Sequence, residues 1–314
     1  MIQGEPLSTL CAQFLQLQKS ERTKRAYRCD LRQFLAFMSL QNAGCHALTR
    51  YGRADLIGHC SRFVESFAKH DAHSLHLTNG TTLNRKRFTL VKFFDFLIEV
   101  QEYPFNPARK LPVYPAKEYS NTPTLSKDQI SHLIAAMSVD RIKSKAHFRN
   151  YLIISALFHF ALRRHELVNL KWSQIYEHPI PHFQVRQKGN RWKYLPLFSK
   201  YQRRLDEFVS LHGNSGDYLF SPLKNNRTKD LAKPLSTNAV LLIVKKVSDT
   251  YLKGIPLVPH SFRATFVCLA RDAGIDDKSI MNTTGQKSTR ILNYYDIRSL
   301  LQANAVHHLA EIFV

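Results

Sequence analysis

A chain of 314 residues with 45 Lys and Arg against 24 Asp and Glu carries a formal charge of +21, and its length suggests two domains. Residues 1–117 hold 17 basic and 9 acidic residues and the remainder 28 and 15, which excludes a neutral domain with a basic tail and makes a polyanion the expected partner. Five cysteines without a CxxC pair (Cys11, Cys29, Cys45, Cys60, Cys268) argue against a disulfide framework or zinc site, and no apolar run or N-terminal pattern marks a membrane span or signal peptide.

Along the chain, Tyr27, Leu31, Phe34, Leu35 and Met38 keep the spacing of an amphipathic helix whose other face carries Arg22, Lys24, Arg25, Arg28 and Arg32. Leu90, Phe93, Phe94 and Leu97 mark another, opened by Arg85, Lys86 and Arg87 and followed by Lys92. Such charges are often only solvated faces. Two basic helices in one lobe nevertheless predict phosphate contacts by Arg22, Lys24, Arg25, Arg28, Arg85, Lys86, Arg87 and Lys92. The His70-x-x-His73-x-x-His76 run sits in an expected loop with no cysteine or carboxylate set and is discounted as a metal site.

Residues 103 to 123 hold five of the thirteen prolines and predict an extended linker. The expected organisation is a helical domain over 1–105, a Pro-rich linker over 106–123 and a second domain over 124–314. Ser126-Lys-Asp-Gln129 has capping-box spacing, and residues 147 to 162 read as a helix burying Leu152, Ile153, Ala156, Leu157 and Phe160. Strands are expected only at His182–Gln187 and Trp192–Pro196, joined by the hairpin turn Lys188-Gly189-Asn190-Arg191. Helices resume near 199, 236, 260 and 276. Residues 303–314 read as a short amphipathic helix that docks on this chain or on a neighbour, and the pair His307-His308 is assigned to surface or docking chemistry. The fold class is mainly α in two lobes, one all-helical and one α-rich with a small antiparallel β-sheet.

The chemistry concentrates late in the chain. His260 and Arg263 stand one helical turn apart and share a face, and Tyr294-Tyr295 brings a hydroxyl nucleophile. Cationic and proton-donating groups beside a phenol suit attack on a phosphate better than attack on a carbonyl. Adjacent tyrosines on a helix point about 100° apart, so only one of the two faces a given phosphate. Arg163 ends an apolar segment and Glu166, three residues on, is placed to orient it; a structural ion pair is the plainer alternative. Arg164 is the competitor expected to face solvent. Lys188 at the hairpin tip can reach a bound ligand, although a lone turn lysine is usually just exposed. His260, after Pro259, could equally cap a helix or sit in a core.

Taken together these motifs resemble the tyrosine recombinases, the phage-integrase-like site-specific recombinases, over nearly the whole chain. Thr23-Lys-Arg-Ala-Tyr27 through Leu31, with Thr82-Leu-Asn-Arg85 through Phe94, is similar to the family's SAM-like core-binding domain, and Asn106-Pro107 to its exit. Leu162-Arg163-Arg-His-Glu166-Leu167 resembles the first arginine box, Lys188-Gly189 the hairpin lysine, and His260-Ser-Phe-Arg263 the second box. Gly285-Gln286-Lys-Ser288 leads to Tyr295 at the distance expected of the nucleophile. Each motif alone is weak; six in order are strong.

The resemblance implies a catalytic set of Arg163, Lys188, His260, Arg263, Gln286 and Tyr295. It also implies a 3′-phosphotyrosine intermediate, no cofactor or metal, double-stranded DNA sites as partners, and a homotetramer joined through the C-terminal helix. The expected setting is cytoplasmic, and nucleoid-associated if the source is prokaryotic. Three residues depart from the pattern. Gln286 stands where His or Trp is usual, and an amide can donate to a phosphate oxygen but cannot shuttle a proton. Ala161 replaces a common glycine and Ala264 a common histidine; both read as packing variants. A type IB topoisomerase-like enzyme and a catalytically impaired DNA-binding or architectural protein are the alternatives. The early start of the core-binding segment leaves no room for a separate arm-binding domain, which favours a simpler recombinase.

Overall fold

The computed structural model describes residues 5–71, 74–77, 79–101, 103–116, 120–187, 191–213, 216–223 and 230–295, with the backbone alone at 70–71 and 74–77. The chain divides into two compact units, Met1–Glu118 and Tyr119–Val314.

In the first unit, α1 (Leu7–Gln16) buries Leu7, Leu10, Cys11, Phe14 and Leu15, a single stripe at helical spacing. Helix α2 (Glu21–Phe37) starts at Ser20, whose side chain accepts the Thr23 amide, and buries Tyr27, Asp30, Leu31, Phe34 and Leu35. A single turn, α3 (His46–Thr49), leads to α4 (Arg53–Glu65), and the long α5 (Gly80–Gln101) closes the bundle. Phenylalanines lock it: Phe34 meets Phe63 edge-on at 5.2 Å between ring centres, and Phe14 meets Phe93 at 5.6 Å. Such pairs add about 0.5–1.5 kcal/mol each beyond the burial of their area. The helical unit also carries a short antiparallel pair, β1 (His70–Asp71) with β2 (Ser74–Leu77).

The Pro-rich stretch is not a free spacer over its whole length. Tyr103, Ala108, Leu111 and Tyr114 are buried in the first unit's core. Asn106 donates to the Val91 carbonyl at 2.8 Å, Arg87 Nε to the Leu111 carbonyl at 2.9 Å, and Asn84 exchanges two hydrogen bonds with the Tyr114 backbone. Residues 120–125 belong to the second unit, where the Leu125 amide donates to Thr265 Oγ1. Prolines here remove backbone donors while the apolar side chains between them still pack.

The second unit opens with α6 (Lys127–Asp140), whose Ser126–Gln129 capping box is complete. Helix α7 (Lys145–His159) runs through the core, and α8 (Arg164–Val168) follows after a tight turn. Three strands, β3 (Ile175–Tyr176), β4 (His182–Gln187) and β5 (Arg191–Pro196), form an antiparallel sheet in sequence order. Phe183 pairs with Leu195 and Gln187 with Arg191 in its register. Helices α9 (Ser199–His212), α10 (Thr237–Tyr251), α11 (Pro259–Asp272), α12 (Asp277–Thr284) and α13 (Thr289–Asn293) complete it. The expected class holds, mainly helical in two units with a small antiparallel sheet in the second, but the first unit is not wholly helical, since it carries β1 and β2, and β3 adds a strand to the two expected in the second. The hairpin tip at 188–190 and the predicted helix at 303–314, with His307 and His308, lie outside the described residues.

Candidate active site and nucleic-acid surface

Four segments of the second unit meet at one place. After α7 the chain reverses through Ala161, whose φ of +46° lies in the left-handed region. An L-residue there costs roughly 1–2 kcal/mol, which is a conformational reason for glycine to be common at the position. The turn sends the Ala161 carbonyl to Arg263 Nη1 at 2.7 Å. Two residues later Arg163 precedes α8, donating its backbone N–H to Glu166 Oε2 and its Nη1 to Oε1, both at 2.9 Å. The same Nη1 reaches the Thr284 carbonyl at the end of α12, at 3.4 Å. The structural ion pair expected as the plainer alternative is present: Glu166 is buried, whereas the arginine side chain stays one-third exposed. Arg164 is exposed and donates to the Thr237 carbonyl at 3.5 Å.

Helix α11 begins with Pro259 at its first position, where the missing N–H costs nothing, and Ser261 Oγ accepts the Val258 amide. His260 and Arg263 then share one face. His260 Nε2 lies 2.7 Å from Tyr295 Oη, with the rings edge to face. Surrounding protein atoms, then the charges of Arg263 and Arg163, bring the imidazole down to about 4. Its outer edge is open to water, so the direction is what counts: the ring is neutral at neutral pH and can accept the phenol's proton.

Arg263 is fully buried. Burial, followed by the like charge of Arg163, lowers its guanidinium to about 10, while Glu166 and the Tyr295 phenol act in the opposite direction. It remains charged. Its Nε and Nη2 have no hydrogen-bond partner among the described residues. Gln286 follows the left-handed cap Gly285, and Thr284 Oγ1 donates to its Oε1 at 3.1 Å, leaving the buried amide nitrogen without a partner among the described residues. The buried Gln187 amide nitrogen likewise has none among the described residues and lies against Gly285. Unmet buried donors cost about 1–3 kcal/mol each. A cluster of donors with no acceptor suits an anionic oxygen.

Of the two tyrosines, Tyr295 packs with Phe266 and Met281 on the small core of Val267, Ala270, Ile280 and Leu292, while Tyr294 is exposed. The structure thus gathers Arg163, His260, Arg263, Gln286 and Tyr295. Lys188 lies outside the described residues. A concavity lined by Ile130, Ile134, Tyr151 and Leu269 includes none of these side chains, so the site is not that pocket.

Sequence reasoning missed two side chains here. Strand alternation turns Lys193 inward with Leu195, and its Nζ sits 3.1 Å from Glu166 Oε2 and 3.1 Å from the Thr283 carbonyl. Gln187 is inward by the same rule, with Phe183 and Val185. Burial disfavours ionised Glu166, but Lys193 and Arg163 outweigh it and hold the carboxyl below its ordinary range.

In the first unit, Arg22, Arg25, Arg28 and Lys92 are exposed. Lys24 is half-buried and paired with Glu21 at 2.9 Å, Arg85 is paired with Asp30, and Arg87 is tied to the Leu111 carbonyl. Lys86 requires correction as a phosphate contact. It is 3% exposed, with its Nζ 3.1 Å from Asp30 Oδ1 and 3.7 Å from the centre of the Phe67 ring. Its charge is committed inside the bundle. The side chains of His70, His73 and His76 lie outside the described residues. Among the described residues no group of three or more His, Cys, Asp or Glu could hold a metal ion, and no helix is long and apolar enough to cross a membrane.

The phage integrase family profile matches residues 123–299, and that of the phage integrase N-terminal SAM-like domain matches residues 12–101. Tyrosine recombinase XerC of Staphylococcus carnosus is 23% identical over 293 residues, covering 92% of this chain and 90% of that protein. A tyrosine recombinase of Pseudothermotoga lettingae is 24% identical over 282 residues, covering 88% and 87%. Among solved structures, XerH recombinase in a post-cleavage complex with difH aligns with a TM-score of 0.65 at 15% identity, covering 91% of this chain and 80% of that one. A lambda integrase dimer on a COC′ core site aligns at 0.64 and 16% identity, covering 92% and 93%. With its larger unit matched almost throughout, the chain belongs to the phage integrase family, as an enzyme of the site-specific tyrosine recombinase class.

Proposed function

We propose that the chain cleaves and rejoins DNA at specific sites through a covalent 3′-phosphotyrosine on Tyr295. The observation that carries this reading is the 2.7 Å contact of Tyr295 Oη with a neutral His260, beside two arginines. Tyr295 oxygen attacks the scissile phosphorus while its proton passes to His260 Nε2. The bond from phosphorus to the 5′-oxygen breaks, and Lys188 is the acid that protonates the leaving oxygen. Arg163, Arg263 and Gln286 hold the non-bridging oxygens, whose charge grows in the transition state; one such donor is typically worth about 10²–10³ in rate. A second 5′-hydroxyl then reverses the step. Phosphoester bond energy is conserved throughout, so the exchange needs no ATP and no metal.

Arg22, Arg25, Arg28, Arg85, Arg87, Lys92 and, more weakly, Lys24 would track the duplex backbone. Recombination of two duplexes calls for four subunits. A lambda integrase tetramer on a Holliday junction is among the similar structures, and a homotetramer joined through residues 302–314 is the assembly proposed here. Work on genomic or mobile-element DNA puts the chain in the cytoplasm.

The test is to trap the intermediate with nicked suicide duplexes carrying a site selected by the protein from a random library. An SDS-resistant adduct is expected with wild type and not with Tyr295→Phe. An adduct that survives in Tyr295→Phe reassigns the nucleophile to Tyr294. Tight binding without any adduct makes the chain a DNA-binding protein without catalysis. Supercoil relaxation by monomers without product exchange makes it topoisomerase-like.

A further inference from the structure

Helix α12 ends where the cleavage site begins, and its last carbonyls point at two cations. Lys193 Nζ takes the Thr283 carbonyl at 3.1 Å, and Arg163 Nη1 takes that of Thr284 at 3.4 Å. Both cations meet on one carboxylate, Glu166, at 3.1 and 2.9 Å. A helix C-terminus carries partial negative charge, so cations there are favourable and fix the end in place. Gln286 lies two residues beyond Thr284. Lys193 is 5% exposed.

We propose that Lys193 is a positioning residue of the recombinase site: it shares Glu166 with Arg163 and clamps the end of α12, so that Arg163 and Gln286 face one phosphate. The inference rests on the phosphotyrosine reading above. Without the Lys193 charge, Arg163 is the cation left directly paired with Glu166 among the described residues, and Glu166 draws that guanidinium inward, away from the phosphate. The α12 end loses one of its two anchors at the same time. The charged groups facing Lys193 are Glu166 of α8, Arg163 just before it and Arg263 of α11. Burial, partly offset by Glu166 and reinforced by Arg263, lowers the Lys193 ammonium to about 8. Its charge is therefore present at neutral pH and lost just above it, whereas an arginine at the same place would keep its charge.

The full-length chain and its Lys193→Met and Lys193→Arg variants are compared on the same selected suicide duplex, with single-turnover cleavage measured from pH 6.5 to 9.5. We expect Lys193→Met to cleave at least tenfold more slowly with duplex affinity changed less than about threefold, since misplaced catalytic groups lose rate before binding. Lys193→Arg restores most of the rate and removes the alkaline decline of wild type. A merely structural lysine would not move the pH profile. Lys193→Met at the wild-type rate, or an alkaline limb identical in wild type and Lys193→Arg, overturns the proposal. Should Lys193→Met not fold, the Lys193→Arg profile still decides. No adduct with wild type at any pH refutes the phosphotyrosine reading instead, which keeps the two failures apart.

Discussion

Two glycines at helix ends provide a controlled perturbation of the site. Gly285 caps α12 with φ +66° and Gly274 follows α11 with φ +73°, both in the left-handed region. Alanine at either position costs roughly 1–2 kcal/mol of backbone strain. Space distinguishes them. A Cβ on Gly274 meets nothing within 4 Å among the described residues, whereas a Cβ on Gly285 falls 1.6 Å from Gln187 Nε2 and 2.6 Å from its Cδ. The strain alone lowers the melting temperature of a unit this size by about 2–8 °C, at ~2–4 °C per kcal/mol. Gly285→Ala must also expel the Gln187 amide or push the α12 end away from Arg163, and a displacement near 1 Å at reacting groups costs on the order of 100-fold in rate. Calorimetry and suicide-duplex cleavage on Gly274→Ala and Gly285→Ala separate the two effects. Both variants should melt lower, and only Gly285→Ala should lose cleavage by tenfold or more. Equal cleavage by the two variants would refute the packing of Gln187 on Gly285 as a determinant of the site.

Other predictions concern charge. Asp30→Asn leaves Lys86 buried without its anion and should destabilise the first unit by about 3–5 kcal/mol, read as an early urea transition by hydrogen exchange in α2 and α5; unchanged protection there would contradict the buried pair. Arg28→Ala should reduce the slope of log affinity against log salt by about 0.9, the worth of one neutralised phosphate, whereas Lys86→Met should lower stability and leave that slope alone. His260 acts as a base only when neutral. Because its folded value is lowered below the ordinary 6.5 by the surrounding protein and by Arg263 and Arg163, cleavage should stay level from pH 7 down past 6 and fall only at more acid pH, where the ring gains a proton. A decline centred near 6.5 would mean that the ring is not held neutral. Replacing His260 by Ala should slow single-turnover cleavage by about 10²–10⁴, with duplex binding retained.

Much of this site was legible because its parts are local. Arg163 and Glu166 are three residues apart across a helix start, where capping spacing brings them together, and His260 and Arg263, also three apart, share one face by helical spacing. The Ser126 capping box and the strands around the hairpin are equally local. What was lost depended on phase or on distant partners. Arg85-Lys86-Arg87 reads as a basic run, yet Lys86 follows Leu83 by three positions and precedes Leu90 by four, which puts it on the buried stripe. Its partner Asp30 is in phase with Tyr27 and Phe34 on another helix, and nothing in the sequence pairs them. Lys193 could have been found from Leu195 two positions on, since strand alternation sends both inward. In the Pro-rich stretch, the signal for packing was the recurrence of Tyr103, Leu111 and Tyr114 between the prolines.

The same electrostatic device serves each unit, and it decides which basic residues keep their charge for a ligand. Asp30 is held by Arg85 and Lys86, and Glu166 by Arg163 and Lys193. Each carboxylate is buried, each lysine is nearly so, and each arginine side chain remains one-third or more exposed. One anion cannot neutralise two cations, so each trio retains a net positive charge, and the arginine is the member with access to solvent. The buried lysine offsets the desolvation of the carboxylate, a cost that a single exposed partner would leave largely unmet. The arginine is thereby fixed in orientation without being discharged. A guanidinium held this way loses little further freedom on meeting a phosphate, which is the condition for a donor to favour a transition state over a flexible ground state. Basicity counted along the sequence overstates the phosphate-contacting set by the lysines spent inside, and understates the remaining arginines by the order those lysines impose.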